Sequence, residues 1–300
     1  MIIANPIYDT VFKYMMSDSR VAKSFLSAII GEQIVDLAFT TTEYVLKPGT
    51  DRSLVDRTLE QITVCRFDFA AKIETGQGDF KTVIIELQKA KFATDIMRFR
   101  RYLGTMYQSA ENTSDSKRVK ARQIYCIYLL NYEIGLSDSP VIKVDYTVSD
   151  LTTGKPLNAR NEFISSLNHK SWIIQVRQLK EKRRNELENL LSIFDQDSIV
   201  DDGHILKVDE DQFPDVYRHI IRKLREAYES RKVREEMQME DDYINELLMK
   251  DALIAEQAQT IVDKDQKIDE DQKVLAEQKQ ALADKDREIA ELKQRLALGK

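Results

Sequence analysis

From Asn5 or Asp9 to Ile30 the apolar positions fall at helical spacing. Val11, Phe12 and Met15, then Phe25, Leu26 and Ile29, share one side, and Gly31 supplies a stop. The period then shortens towards two. Ile34–Leu46, Ile62–Ile73 and Phe80–Gln88 are rich in Val, Ile, Phe, Tyr and Thr, which predicts three strands. The last two are joined by ETGQGD (Glu74–Asp79), whose two glycines suit a hairpin. Helical spacing returns from about Thr94 to Ala110, where Ile96, Phe99, Leu103, Met106 and Ala110 predict a buried stripe. Gln123–Asn131 (QIYCIYLLN) is apolar almost throughout, as expected of a strand buried on both faces. Further helices are expected around Asn161–Leu167 and Arg177–Phe194, and from Pro214 onward. The core order is helix, three strands, helix, strand: an α/β core with a mixed sheet.

After Pro214 no Gly or Pro occurs until Gly299, so nothing interrupts a helix there. Leu247, Ile254, Ile261, Ile268, Leu275, Leu282, Ile289 and Leu296 recur every seven residues, a heptad column. Four residues further on, however, stand Asp251, Ala258, Asp265, Gln272, Lys279 and Asp286. With one seam position mostly polar, the coil is expected to be weak, frayed or dependent on a partner. The expected division is a body over 1–234 and a helical, weakly coiled-coil tail over 235–300. Residues 241–300 would meet a second copy or another helix.

Composition narrows the function. The chain has 42% apolar and 32% charged residues and only 9 Gly and 5 Pro, which favours long helices over a loop-rich all-β protein. Two cysteines, Cys65 and Cys126, make neither a disulfide framework nor a four-thiolate metal site, and are expected as small buried apolar groups. Three scattered histidines argue against zinc, and His169 and Trp172 in NHKSWII read as packing. No run reaches the ~18 apolar residues of a membrane span, and the start lacks a signal peptide's pattern. A cytoplasmic protein that does not enter a membrane is expected. The net charge of −6 is unevenly spread: residues 241–300 hold 15 acids and 10 bases, whereas 1–240 are near neutral. Within the body, 88–122 carry nine Lys or Arg against three acids, a local surplus able to meet a polyanion or simply to be solvated.

The chemistry concentrates on the hairpin. Asp68 sits in RFDFAAKI, and Glu86 and Gln88 end the neighbouring strand in VIIELQKAK. Side chains alternate along a strand, so Glu86 and Gln88 share a face that an antiparallel partner brings beside Asp68. Carboxylates in apolar strands need compensation. A hard divalent cation supplies it and activates water against a phosphodiester. Pairing with Arg66 and Lys72 on a solvent-facing edge would supply it too. No phosphate-cradling GxxxxGK[ST], GxSxG nucleophile turn or HExxH occurs.

NPIYDTVFKYMMSD, RFDFAAKI, VIIELQKAK and TDIMRFRRYLGTMY together resemble the PD-(D/E)XK nuclease superfamily, specifically its transposase-like, recombination-promoting nuclease branch. The resemblance covers about the first 130 residues well and the tail not at all. It implies a restriction-endonuclease-like fold, a mixed sheet flanked by helices, in a nuclease-like domain whose core spans about 1–135 with a helical remainder over 136–234. It implies a transposase- or recombination-associated endonuclease that hydrolyses DNA. Asp68 and Glu86 then hold Mg²⁺ (or Mn²⁺), with an acid of the first helix, Asp9, assisting. The same fold without efficient catalysis, assembled through the tail, is the alternative.

Gln88 departs from the superfamily's usual lysine, although the recombination-promoting branch commonly carries it. An amide orients water but neither gives nor takes a proton as lysine does. Lys89 falls on the opposite strand face, and Lys91 has the right parity. On the following helix Arg98 and Tyr102 are four apart and share a face. Arg98 is a candidate for the scissile phosphate or for orienting Glu86. Lys89, Arg100 and Arg101 are candidates for backbone phosphates.

Overall fold

A computed structural model describes residues 1–40, 43–46, 63–66, 68–89, 91, 95–108, 122–157, 161–180, 184–201 and 203–299. Two units are distinguished, Met1–Asp242 and Tyr243–Lys300. The elements in chain order are β1 (Ile2–Ala4), α1 (Asp9–Met16), α2 (Ser19–Ile30), β2 (Ile34–Phe39), β3 (Glu43–Leu46), β4 (Thr63–Arg66), β5 (Phe69–Thr75), β6 (Phe80–Gln88), α3 (Asp95–Gln108), β7 (Gln123–Leu130), β8 (Val141–Val144), α4 (Glu162–Ser166), β9 (His169–Gln175), α5 (Glu186–Leu191), β10 (Ile199–Val200), β11 (Ile205–Lys207), α6 (Arg218–Glu229) and α7 (Arg231–Leu298).

The mixed sheet has the order β2-β5-β6-β7-β9-β8. β2, β5 and β6 run antiparallel, β6, β7 and β9 parallel, and β8 antiparallel to β9. The α3 crossover makes β6 and β7 parallel, and the hairpin closes where Gly78 takes the left-handed φ of +78°. β6 and β7 are buried on both faces, although the α3 face of β6 carries polar Thr82, Glu86 and Gln88 beside Ile84. Val83, Ile85 and Leu87 of β6, with Tyr125, Ile127 and Leu129 of β7, enter the main core with α1, α2, α5 and α6. Ile84, Ile124 and Cys126 face the other way, where Met106 of α3 packs on them. Phe12, Phe25 and Phe194 pack with ring centroids 6.0–6.4 Å apart.

Several expectations change. The first helical run is two helices, because the Asp18 carboxylate accepts from the Arg20 and Val21 amides and starts a new one. Gly31 ends it in the left-handed conformation, as its position predicts. Ile34–Leu46 and Ile62–Ile73 each divide, with β3 and β4 forming a separate two-stranded sheet. The expected helical remainder, 136–234, contains β8, β9, β10 and β11. Among the described residues of Arg177–Phe194, only Glu186–Leu191 is α-helical. β8, β10 and β11 have only two to four residues, too few for a sequence pattern to register, whereas β9 has seven.

Body and tail also divide later than position 235. α7 begins at Arg231, and Val233 and Met237 are buried in the body's core, so the body extends through Asp242. In the second unit the heptad positions Ile254, Ile261, Ile268, Leu275, Leu282 and Ile289 are all exposed. Among the described residues no helix is long and apolar enough to cross a membrane. Residues 117–120 of the basic region and the side chain of Cys65 lie outside the described residues; Cys126 is a buried free thiol.

Phe12→Ala should lower stability by about 3–5 kcal/mol in urea unfolding, because it opens a void among three aromatic rings. Ile254→Ala, at an exposed position, should leave the body's unfolding free energy within about 0.5 kcal/mol of its starting value.

Candidate functional site

Strand parity decides where the acids point. With Val83, Ile85 and Leu87 in the main core, Glu86 and Gln88 turn to the α3 face with Ile84, and both are buried. Phe69 pairs with Ile85, so the residue before it, Asp68, comes level with Glu86. The Leu87 amide donates to Asp68 Oδ2 at 2.5 Å, which fixes that carboxyl against β6. The alternative pairing does not arise for Lys72: its register partner is Thr82, four residues back along β6 from Glu86. The side chain of Arg66 lies outside the described residues.

Burial raises the Asp68 pKa to about 8, the negative charge of Asp9 adds to the rise, and the Leu87 amide opposes it. Glu86, 3% exposed, is also pushed well up by burial and then by Asp68, with Arg98 of α3 pulling the other way. Asp9 opens α1 and pairs with Lys13 at 2.5 Å through Oδ2. Among the described residues its other oxygen, Oδ1, is buried without a hydrogen-bond partner, and so is Glu86 Oε1.

Buried acceptors without donors, beside carboxyls whose charges repel, call for a proton or a cation. The carboxylate oxygens of Asp68, Glu86 and Asp9 are the kind of donor that a hard divalent ion such as Mg²⁺ or Mn²⁺ takes. Among the described residues no three His, Cys, Asp or Glu side chains form a ready cage. Mg²⁺ commonly takes one or two carboxylates and completes its shell with water and phosphate oxygens.

The other candidates separate by environment. Arg98 stands close enough for its charge to act on Glu86. Tyr102 packs on the cluster of Ala70, Ile84 and Cys126. Arg100 and Arg101 are exposed, and so is Lys91, whose Nζ lies 5.6 Å from the Tyr132 ring centroid. Lys89 is engaged elsewhere: it pairs with Asp241 and its Nζ lies 3.4 Å over the Tyr8 ring, so its opposite-face parity takes it away from the carboxylates.

The sequence reading missed the first turns of α7. Glu236 accepts from the Thr10 hydroxyl, and Glu240 accepts from the Asp9 amide at 3.2 Å. Asp241 accepts from the Tyr8 hydroxyl at 2.9 Å, and His204 Nε2 lies 2.7 Å from it. Burial raises Glu240 to about 7, and the charge of Asp9 contributes. Nothing in the run MEDDY distinguishes these acids from the solvated acids that follow. No protein-family profile, curated protein or solved structure matches the chain.

Without a metal, folded Asp68 keeps its proton to about pH 8, whereas an unfolded aspartate loses it near ~3.9. Between those limits the folded state binds more protons, so this group's contribution to stability falls as pH rises. Tm measured in a chelating buffer should therefore decline from about pH 5 to about pH 8 less steeply for Asp68→Asn. Parallel slopes for the two proteins would contradict the assignment.

Proposed function

We propose that this chain is a metal-dependent DNA endonuclease of the transposase-like, recombination-promoting kind within the PD-(D/E)XK superfamily. The observation that carries the reading is Asp68 level with Glu86 on one face of a covered strand pair, both carboxyls raised by burial and Glu86 Oε1 without a hydrogen-bond partner among the described residues. Asp68 and Glu86 would hold Mg²⁺ or Mn²⁺, with Asp9 assisting. When bound, such an ion lowers the pKa of water and stabilises charge developing on a phosphodiester.

The chain's own groups supply the rest. The Leu87 amide holds Asp68 in place. Gln88 orients the attacking water through its amide without taking its proton. Arg98 favours the ionised form of Glu86 and offers positive charge to the phosphate. Arg100 and Arg101, both exposed, meet neighbouring phosphates, which makes cleavage tolerant of sequence because backbone contacts carry no base information. Lys89 has no part in this set, since Asp241 holds it.

A non-catalytic DNA-binding protein assembled through its tail is the second reading. The exposed column Ile254–Ile289 favours assembly, because apolar side chains at heptad spacing gain by pairing with another helix.

Asp68→Ala and Glu86→Ala should each slow Mg²⁺-dependent nicking of supercoiled plasmid by about 10²-fold or more, with DNA retained in a binding assay. Nicking at the parental rate would dismiss the catalytic assignment, and salt-sensitive binding with no metal-dependent nicking by the parent would favour the second reading. Removing residues 243–300 should reduce the number of chains per particle (the mass by light scattering divided by the chain mass); an unchanged number would rule out assembly through the tail.

A further inference from the structure

The apolar stripe of α3 does not bury as its spacing predicts. Met106 is 1% exposed, but Ile96, at the other end, is 63% exposed. Ile96, Phe99, Arg100 and Leu103, spaced as one helical face, instead line a cavity of about 640 Å³ between α3 and strands β7, β8 and β9. That volume is within the range of about 300–1,000 Å³ usual for small-molecule sites.

The cavity has a consistent chemistry. Phe99 and Tyr128 form an aromatic wall with ring centroids 5.2 Å apart, and Tyr132 adds a third ring near Lys91. Lys91 and Arg100 are its cationic members, and no acidic side chain is among the described residues lining it. It also adjoins the carboxylates. Tyr128 is the register partner of Glu86 on the next strand, on the same face, and Lys91 follows Gln88 by three residues.

We infer that this cavity receives an unpaired nucleobase of the DNA strand whose phosphate lies at Glu86 and Arg98. The inference rests on the endonuclease reading and adds that the preferred substrate is single-stranded or locally opened DNA. A flat base stacks on the aromatic wall while Lys91 and Arg100 meet its flanking phosphates, a combination that binds single strands with little regard to sequence. A base inside a duplex presents no free face to such a wall, so it must be unpaired or flipped out first.

The test uses the full chain and a twelve-nucleotide DNA single strand with one 2-aminopurine, in chelator so that no cleavage intervenes. Binding should quench the probe, and Phe99→Ala should weaken single-strand affinity by about 5- to 150-fold, the equivalent of losing one stacked base. Val144→Trp fills the cavity from half-exposed β8 and should weaken it similarly while leaving duplex affinity and Tm unchanged. Parental single-strand affinity in both variants, or a strand that binds with its probe unquenched, would overturn the inference. So would a loss of oligomer mass in Val144→Trp, which would give the cavity to a second copy of the chain. Metal-dependent nicking by the parent with no quenching would sink the cavity proposal alone. Quenching that survives in Asp68→Ala and Glu86→Ala, with no nicking by the parent, would sink the endonuclease reading and leave the cavity a single-strand site.

Discussion

Strand β6 is covered on both faces, and this fixes the direction of every side chain it carries. Val83, Ile85 and Leu87 lie in the main core with residues of α1, α2, α5, α6 and the start of α7, so Ile84, Glu86 and Gln88 must face α3. A slip of one residue would put two polar side chains into the aromatic core and three apolar ones outside it, an exchange the sheet cannot tolerate. Glu86 therefore stays buried, with half-buried Asp68 level with it, and the loss of solvation reappears as raised pKa values at both.

That cost is compensated from several directions. The Leu87 amide holds Asp68 across the strand pair, Arg98 faces Glu86 from α3, and Lys13 pairs with Asp9. The opening turns of α7 secure the end of α1: Glu236 takes the Thr10 hydroxyl, Glu240 the Asp9 amide, and Asp241 gathers Tyr8, Lys89 and His204. Among the described residues, Asp9 Oδ1 and Glu86 Oε1 are left without hydrogen-bond partners beside these acids.

Helix α3 links the carboxylates to the cavity beside them. Arg98 and Tyr102 turn towards the sheet, and this rotation exposes Ile96 and sets Phe99, Arg100 and Leu103 along the cavity. His169, which reads as packing in the sequence, lines the same cavity and lies 3.0 Å through Nδ1 from the Tyr107 hydroxyl. Trp172 does pack, against Tyr125 at 4.9 Å.

Local periodicity was enough for much of this. It located α2 and its Gly31 stop, β6 with its hairpin, α3, β7 and the long terminal helix, because covered strands and amphipathic helices repeat every two or three to four residues. It also put Glu86 and Gln88 on one face and Lys89 on the other. The short strands β8, β10 and β11 and the break at Asp18 were not legible, since two to four residues hold no period and a cap is a single side chain; β9, with seven residues, was missed although it is long enough to show one. Tertiary structure alone decided that Asp68 comes level with Glu86, that Glu240 and Asp241 return from the far end of the body to the first helix, and which face of α3 meets the sheet. Strand register and helix rotation are set by packing between segments distant in sequence, and a pattern read along the chain contains no information about what it will pack against.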